Sequence, residues 1–377
     1  MQHKLASNRL SLRGAVALLL VLYIGSGSAF GGFSTLGADT IFAQVASFFI
    51  AAPLLLLFAR LIRLMPEMDL FDMLTYTVGR VPAVLIGVLY FFYFIMLSAT
   101  TQVYHAEFVG MISLVNTPLI VILLAFFLVG AYLAKSGAET MSKWSLVVAL
   151  TVAGLALTLT LFAFPSMRAG NIQPILTHSV GDMARAGTRL AILPLGEAVV
   201  LLALISRFDK HASPYKLFFI AASLATVFFA ANFLRDSAVL GADSMGAMHY
   251  PAFRAASTIQ LGSIGTRVEF LVVISFLLTS VTKTAICVLA AARAIRSVFN
   301  LPDENPLILS IAFFAVALSV ILFRNMIDLF AFPYIYVYYA PIFQMVIPVV
   351  VWVIAEVKVR RKAAAESHQI IDETAAK

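Results

Sequence analysis

Apolar residues run along this chain in long blocks, without the short alternation of strands or the one-sided stripe of soluble helices. A helix needs roughly 20 mostly apolar residues to cross a bilayer. Ten stretches meet that need: about 12–33, 38–63, 82–110, 115–134, 142–164, 184–207, 214–240, 266–297, 306–324 and 332–357. A weak break separates the second from the first, and the tenth carries Pro333, Pro341 and Pro348. Two connections are longer, 165–183 and 241–265, and both are rich in Gly, Pro and small polar residues. The chain after Lys358 turns basic and then polar, and is expected to be a loosely ordered tail. The pattern predicts an all-α integral membrane protein, with one domain over 1–360 and a cytoplasmic tail over 361–377.

Composition strengthens this reading. Of 377 residues, 62% are hydrophobic and 12% charged, and the mean hydropathy is +0.97. Soluble domains carry about twice that share of charge. The net charge of +7 does not point to nucleic acid, because the basic residues lie at the ends of apolar runs. With the N-terminus inside, 18 of the 26 Lys and Arg residues fall on the inner side, 7 on the outer side, and Lys283 lies within a span. Both termini are therefore expected to be cytoplasmic. Lys4, Arg9 and Arg13 precede the run Ala15–Tyr23 as in a signal peptide, yet the next span follows with no strongly charged break, so a retained first helix is expected. Cys287 is the only cysteine, which excludes an internal disulfide and a cysteine-based metal site.

Glycine and proline interrupt two spans at matching depth. The first contains Gly25, Ser26, Gly27 and Ser28 within Tyr23–Gly32, and the sixth contains Pro194, Leu195, Gly196 and Glu197. Each interruption comes about ten residues after its span begins, and these spans open the two sets of five. Paired interruptions in the two halves of a bundle point to a transporter-type binding site. Loosened backbone cannot face hydrocarbon and must line a cavity or meet protein. Half-helix ends carry partial charges that can cradle a zwitterion such as an amino acid. The other reading of the glycines is close helix packing, since Gly27 and Gly31 have the GxxxG spacing.

Ionisable residues inside spans are functional candidates. Glu197 reads either as a proton relay or ligand contact, or as a cap on the half-helix that begins there. Lys283 reads as an ammonium that replaces a bound cation, as a proton carrier, or as a tether to a freed carbonyl. Thr279, Ser280 and Thr282 are candidate ligands to the same cavity, although such hydroxyls also bond back to their own helix. Tyr93 is a candidate pocket wall. His105 and Glu107 are expected near the outer surface, Arg267 with Glu269 and Arg235 with Asp236 as interfacial ion pairs, and Tyr334, Tyr336, Tyr338 and Tyr339 as packing and belt residues. No catalytic motif or metal-ligand cluster is present in the sequence, so no enzyme activity, metal or cofactor is expected.

Several stretches resemble the GerAB-type spore germination permeases, a branch of the amino acid–polyamine–organocation superfamily. Gly170–Leu176 is similar to that family's Asn-x-x-Pro-x-Leu segment, Leu193–Glu197 to its Gly-Glu segment, and Lys283–Leu289 to its Lys-bearing segment. Arg60–Pro66 looks like the end of its second helix, and Gly79-Arg80 also falls in a familiar place. Leu10–Gly14 departs from the family's Ile-Ser-x-x-Gln, which removes one basis for a shared germinant. The resemblance implies a LeuT-like fold of about ten helices, a 5+5 inverted repeat (about 12–164 and 184–357) with helices one and six broken. It also implies the B subunit of a germinant receptor that binds a small nutrient. An A-type membrane subunit and a C-type lipoprotein would be its partners in a bacterial cell or spore inner membrane. A proton-coupled amino-acid transporter is the alternative, and a packing scaffold the third reading. Ligand binding is expected between spans one, three, six and eight.

Overall fold

The computed structural model describes residues 9–30, 36–206, 208–209, 211–246, 248–259, 267–323 and 326–375; for 28–30, 326 and 362–375 the backbone alone is described. The secondary structure of these residues is helical throughout, apart from one isolated bridge between Leu10 and Phe208. The helices are α1 (Leu12–Phe30), α2 (Thr40–Leu64), α3 (Leu70–Val78), α4 (Arg80–Ile112), α5 (Leu119–Lys135), α6 (Gly137–Ala163) and α7 (Val180–Ile192). They continue as α8 (Val199–Leu202), α9 (Pro214–Leu240), α10 (Pro251–Ser257), α11 (Phe270–Phe299), α12 (Asn305–Leu322), α13 (Met326–Pro341) and α14 (Ile347–Ala375). A one-turn helix, Ala242–Met245, lies between α9 and α10.

Among the described residues, seven helical segments are long and apolar enough to cross a membrane. Leu12–Gly27 and Leu119–Lys135 are shorter apolar helices, and α7 with α8 forms one further, interrupted span. The ten stretches read from the sequence are thus recovered. Large apolar side chains around the bundle point outward, including Phe49, Leu85, Leu150, Val227 and Ile321. In lipid this surface needs no cover.

The centre of the bundle is α11. In its most apolar window 67% is buried, against 22–50% in the other long helices. It packs on α1, α4, α5, α6 and α12. Small residues make these approaches possible, as expected where lipid supplies no hydrophobic drive between helices. A Cβ on Gly130 of α5 would lie 2.8 Å from Thr284 Cγ2.

Three features differ from the sequence reading. An amphipathic helix, α3, follows the second span; Asp69 accepts from the Phe71 and Asp72 amides and caps it. The basic segment after Lys358 is helical to Ala375 instead of loosely ordered. It is built mainly of good helix formers, and Arg360 pairs with Glu356 one turn back. The glycine-rich stretch of the first span stays helical through Phe30, and Gly31 and Gly32 lie outside the described residues.

The long connections are tied down by specific contacts. Asn171 Nδ2 donates to Ala238 O at 2.9 Å and so caps the end of α9. Asp39, fully buried, accepts from the backbone amides of Leu176, Thr177 and His178 at 2.5, 2.9 and 2.9 Å. The Asn and Leu of the Asn-x-x-Pro-x-Leu segment therefore have structural roles: Asn171 holds a helix end, and Leu176, at φ +60°, offers its amide to Asp39.

Candidate functional site

The sixth span breaks where the sequence places it. The α-helix ends at Ile192, Pro194 supplies no amide hydrogen, and a 3-10 turn over Leu195–Ala198 leads into α8. The freed Ile192 carbonyl accepts from Gln344 Nε2 at 3.1 Å. Gln344 lies in a π-helical turn, Ile342–Val346, that joins α13 to α14. Such turns recur at functional positions. The same Nε2 lies 2.9 Å from Tyr93 Oη and 2.8 Å from Tyr336 Oη, and the two tyrosine hydroxyls are 2.8 Å apart. Gly196 makes this joint possible, because a Cβ there would stand 2.1 Å from Gln344 Oε1.

One turn beyond the break, three spans meet at a buried polar triad. Lys283 Nζ lies 3.1 Å from Glu197 Oε2 and donates to Ser26 Oγ at 2.5 Å. Ser26 Oγ is in hydrogen-bond reach of both Glu197 Oε2 and Leu22 O, and its single hydrogen serves one of them at a time. Glu197 Oε1 has no hydrogen-bond partner among the described residues. The paired charges explain how two ions tolerate full burial.

The first-span glycines act as slots and not as an unwound segment. A Cβ on Gly25 would lie 3.2 Å from Lys283 Cβ and 3.2 Å from Thr279 O, so the glycine lets the lysine stem cross α1. A Cβ on Gly27 would lie 2.2 Å from the Phe229 ring. Glycine permits a break but does not impose one; Ser26 bonding back to Leu22 O is compatible with the helix. The side chain of Ser28 lies outside the described residues.

The hydroxyls of α11 divide among different neighbours. Thr282 accepts from Trp144 Nε1 at 3.0 Å and faces α6. Ser280 donates to Gln102 Oε1 at 3.1 Å, on α4. Thr279 donates to Ser275 O at 2.8 Å. Their recorded hydrogen bonds thus run to α6, α4 and α11 itself, while Ser26 and Glu197 hold the ammonium.

A cavity of about 160 Å³ opens beside the triad. Its lining includes Gly27, Pro194 and Thr279, each within one turn of a triad member, together with Leu155, Phe229 and Tyr104. It lies among the first, second, third, fifth, sixth, seventh and eighth spans, a wider set that contains the first, third, sixth and eighth. Tyr93, Leu195, Gly196 and the triad itself do not line it.

Three other expectations are corrected. His105 is fully buried, 2.7 Å from Thr101 O and edge-on to Phe276, because loop segments and α10 cover that end of α4. Arg235 and Asp236 form a buried pair, 2% and 5% exposed, because the Ala169–Ile172 and Ala242–Met245 turns fold over the end of α9. Tyr336 is a buried member of the amide joint, whereas Tyr338 is 85% exposed and suits the belt. Arg267 and Glu269 do form a loose surface pair, at 3.9 Å. Sequence reasoning missed Gln344 and Asp39. A lone amide between Pro341 and Pro348 was the available signal for Gln344.

Residues 10–329 match the family model described as spore germination protein, of the spore permease type. The chain belongs to the spore germination permease family. No curated protein matches it in sequence. Among solved structures it is similar to MHP1, a nucleobase-cation-symport-1 family transporter in a closed conformation with bromovinylhydantoin bound. That likeness has 14% identity and a TM-score of 0.62, over 90% of this chain and 78% of the other. It is also similar to a Na+-coupled sialic acid symporter in a substrate-bound outward-open state, at 9% identity and TM-score 0.66, over 94% and 91% of the two chains. At these identities the likeness shows the fold: this spore germination permease is a multi-pass membrane protein of the LeuT-like class.

Proposed function

We propose that this permease binds a small nutrient, an amino acid, within the membrane, and serves as the permease-like B subunit of a germinant receptor. The observation that carries this reading is the cavity at the break of the sixth span, one turn from the Ser26–Glu197–Lys283 triad. A ligand that bears on Gly27, Pro194 and Thr279 together acts on all three elements that hold the triad. Binding then biases the relative position of these elements, and the bias is passed to partner subunits. An A-type membrane subunit and a C-type lipoprotein are the partners this role calls for. The repeats are taken as about 12–164 and 184–357, with both termini cytoplasmic in a cell or spore inner membrane.

A second reading is a proton-coupled amino-acid transporter. The observation that favours it is the buried acid–ammonium pair, whose carboxylate keeps one oxygen without a partner among the described residues. Full-length protein in lipid nanodiscs and in proteoliposomes separates the two. The receptor reading expects saturable binding of at least one common amino acid and no uptake under an imposed pH gradient. Gradient-driven uptake replaces it with the transporter reading, and no binding by any of them removes both.

A further inference from the structure

The cavity lining includes polar groups on two neighbouring spans that neither the triad nor the amide joint uses. On α9, Arg235 Nε donates to Asp236 Oδ1 at 2.8 Å and Nη2 lies 2.7 Å from the same oxygen. The remaining nitrogen, Nη1, is buried with no hydrogen-bond partner among the described residues. On α2, which packs against α9, Thr40 and Gln44 stand one turn apart and line the same cavity. Thr40 Oγ1 and Gln44 Nε2 are likewise buried without a partner among the described residues. Both residues are 7% exposed.

An unsatisfied buried polar group costs about 1–3 kcal/mol, and native structures hold few of them. Three on one small cavity, all able to donate, describe a place for an acceptor-rich group. We propose that Arg235 Nη1, Gln44 Nε2 and Thr40 Oγ1 form the carboxylate-binding pole of the cavity. The ligand is a zwitterionic amino acid with a small apolar side chain, which lies against Val152, Leu155 and Phe228.

The chemistry matches on three counts. A carboxylate offers about four lone-pair sites, enough for three donors. A guanidinium is the side chain best suited to hold a carboxylate at a desolvated site. The charges of Arg235 and Asp236 cancel, so a simple anion gains no net attraction from this wall, whereas a zwitterion needs none.

This inference rests on the nutrient-binding reading, and its test separates the two. The probes are L-alanine, L-valine and L-leucine, each beside the amine that lacks its carboxylate and the acid that lacks its amine. Binding is measured by calorimetry on full-length protein in nanodiscs. At least one of the three amino acids is expected to bind, with its amine and its des-amino acid each at least about tenfold weaker. Gln44→Leu and the paired change Arg235→Gln with Asp236→Asn are each expected to weaken binding roughly ten- to hundredfold. Gln44→Leu should leave the melting temperature of the unliganded protein unlowered, since it removes an orphaned group. If the paired variant does not fold, Gln44→Leu decides alone. Unchanged affinity in the folded variants, or an amine that binds as well as its amino acid, overturns the assignment and leaves the nutrient reading standing. So does binding only by other amino acids. No binding by any common amino acid overturns both.

Discussion

Lys283 Nζ stands 3.1 Å from Glu197 Oε2, and the two side chains are 1% and 0% exposed. The lysine belongs to the central helix and the carboxylate to the 3-10 turn after the break, so this contact ties the most buried of the long helices to the interrupted span. Removing one partner of such a pair leaves an uncompensated charge in a dry interior.

Lys283→Met is therefore expected to destabilise the protein by about 3–5 kcal/mol. The double change with Glu197→Gln should recover much of that loss, because both charges leave together. Thermal unfolding in detergent measures all three variants. A double variant no more stable than Lys283→Met would contradict the pairing. If the site reading holds, Lys283→Met and Glu197→Gln each abolish the ligand response; an intact response in both would remove it.

Gly196→Ala places a Cβ 2.1 Å from Gln344 Oε1 and forces the amide to move. The expected loss is about 1–3 kcal/mol, from the Ile192 carbonyl and the tyrosine hydroxyls left without their donor. Adding Gln344→Ala to Gly196→Ala should cost less than the sum of the two single changes, since the clash disappears with the amide. Additive melting-point shifts would show that Gly196 and Gln344 act independently.

Gly25→Leu fills the slot through which the lysine stem crosses α1. It should displace Lys283 and weaken ligand response at least about tenfold, with an overpacking cost of about 1–3 kcal/mol. Gly154→Leu, where a Cβ would meet nothing within 4 Å, is the control and should change neither quantity appreciably. Equal behaviour of the two variants would refute the slot.

Asp39→Ala removes the acceptor for three consecutive backbone amides. Hydrogen exchange measured by mass spectrometry should accelerate at 176–178, while peptides from α11 keep their protection. Protected 176–178 amides in the variant would show that another group holds the loop.

Much of the fold was legible because the solvent is lipid: a spanning segment must be long and apolar, and run length alone reports it. Glu197 and Lys283 stood out for the same reason, since a charge in such a run is costly. The break at Pro194 was legible because proline removes a donor outright. The helical state of Gly25–Ser28 was not, because glycine only widens the choice and packing against Lys283 and Phe229 makes it. The burial of Arg235 depends in part, and the clasp by Asp39 entirely, on segments distant in sequence, so a local pattern could not reveal them. Gln344 was overlooked although its isolation in an apolar stretch was visible.

Three acceptors surround the Gln344 amide nitrogen, which carries only two hydrogens. One neighbour is always waiting its turn. The last span can thus trade its attachment to Ile192 of the sixth span for one to Tyr93 of the third while the number of bonds stays the same, as a pin turns in its bearing.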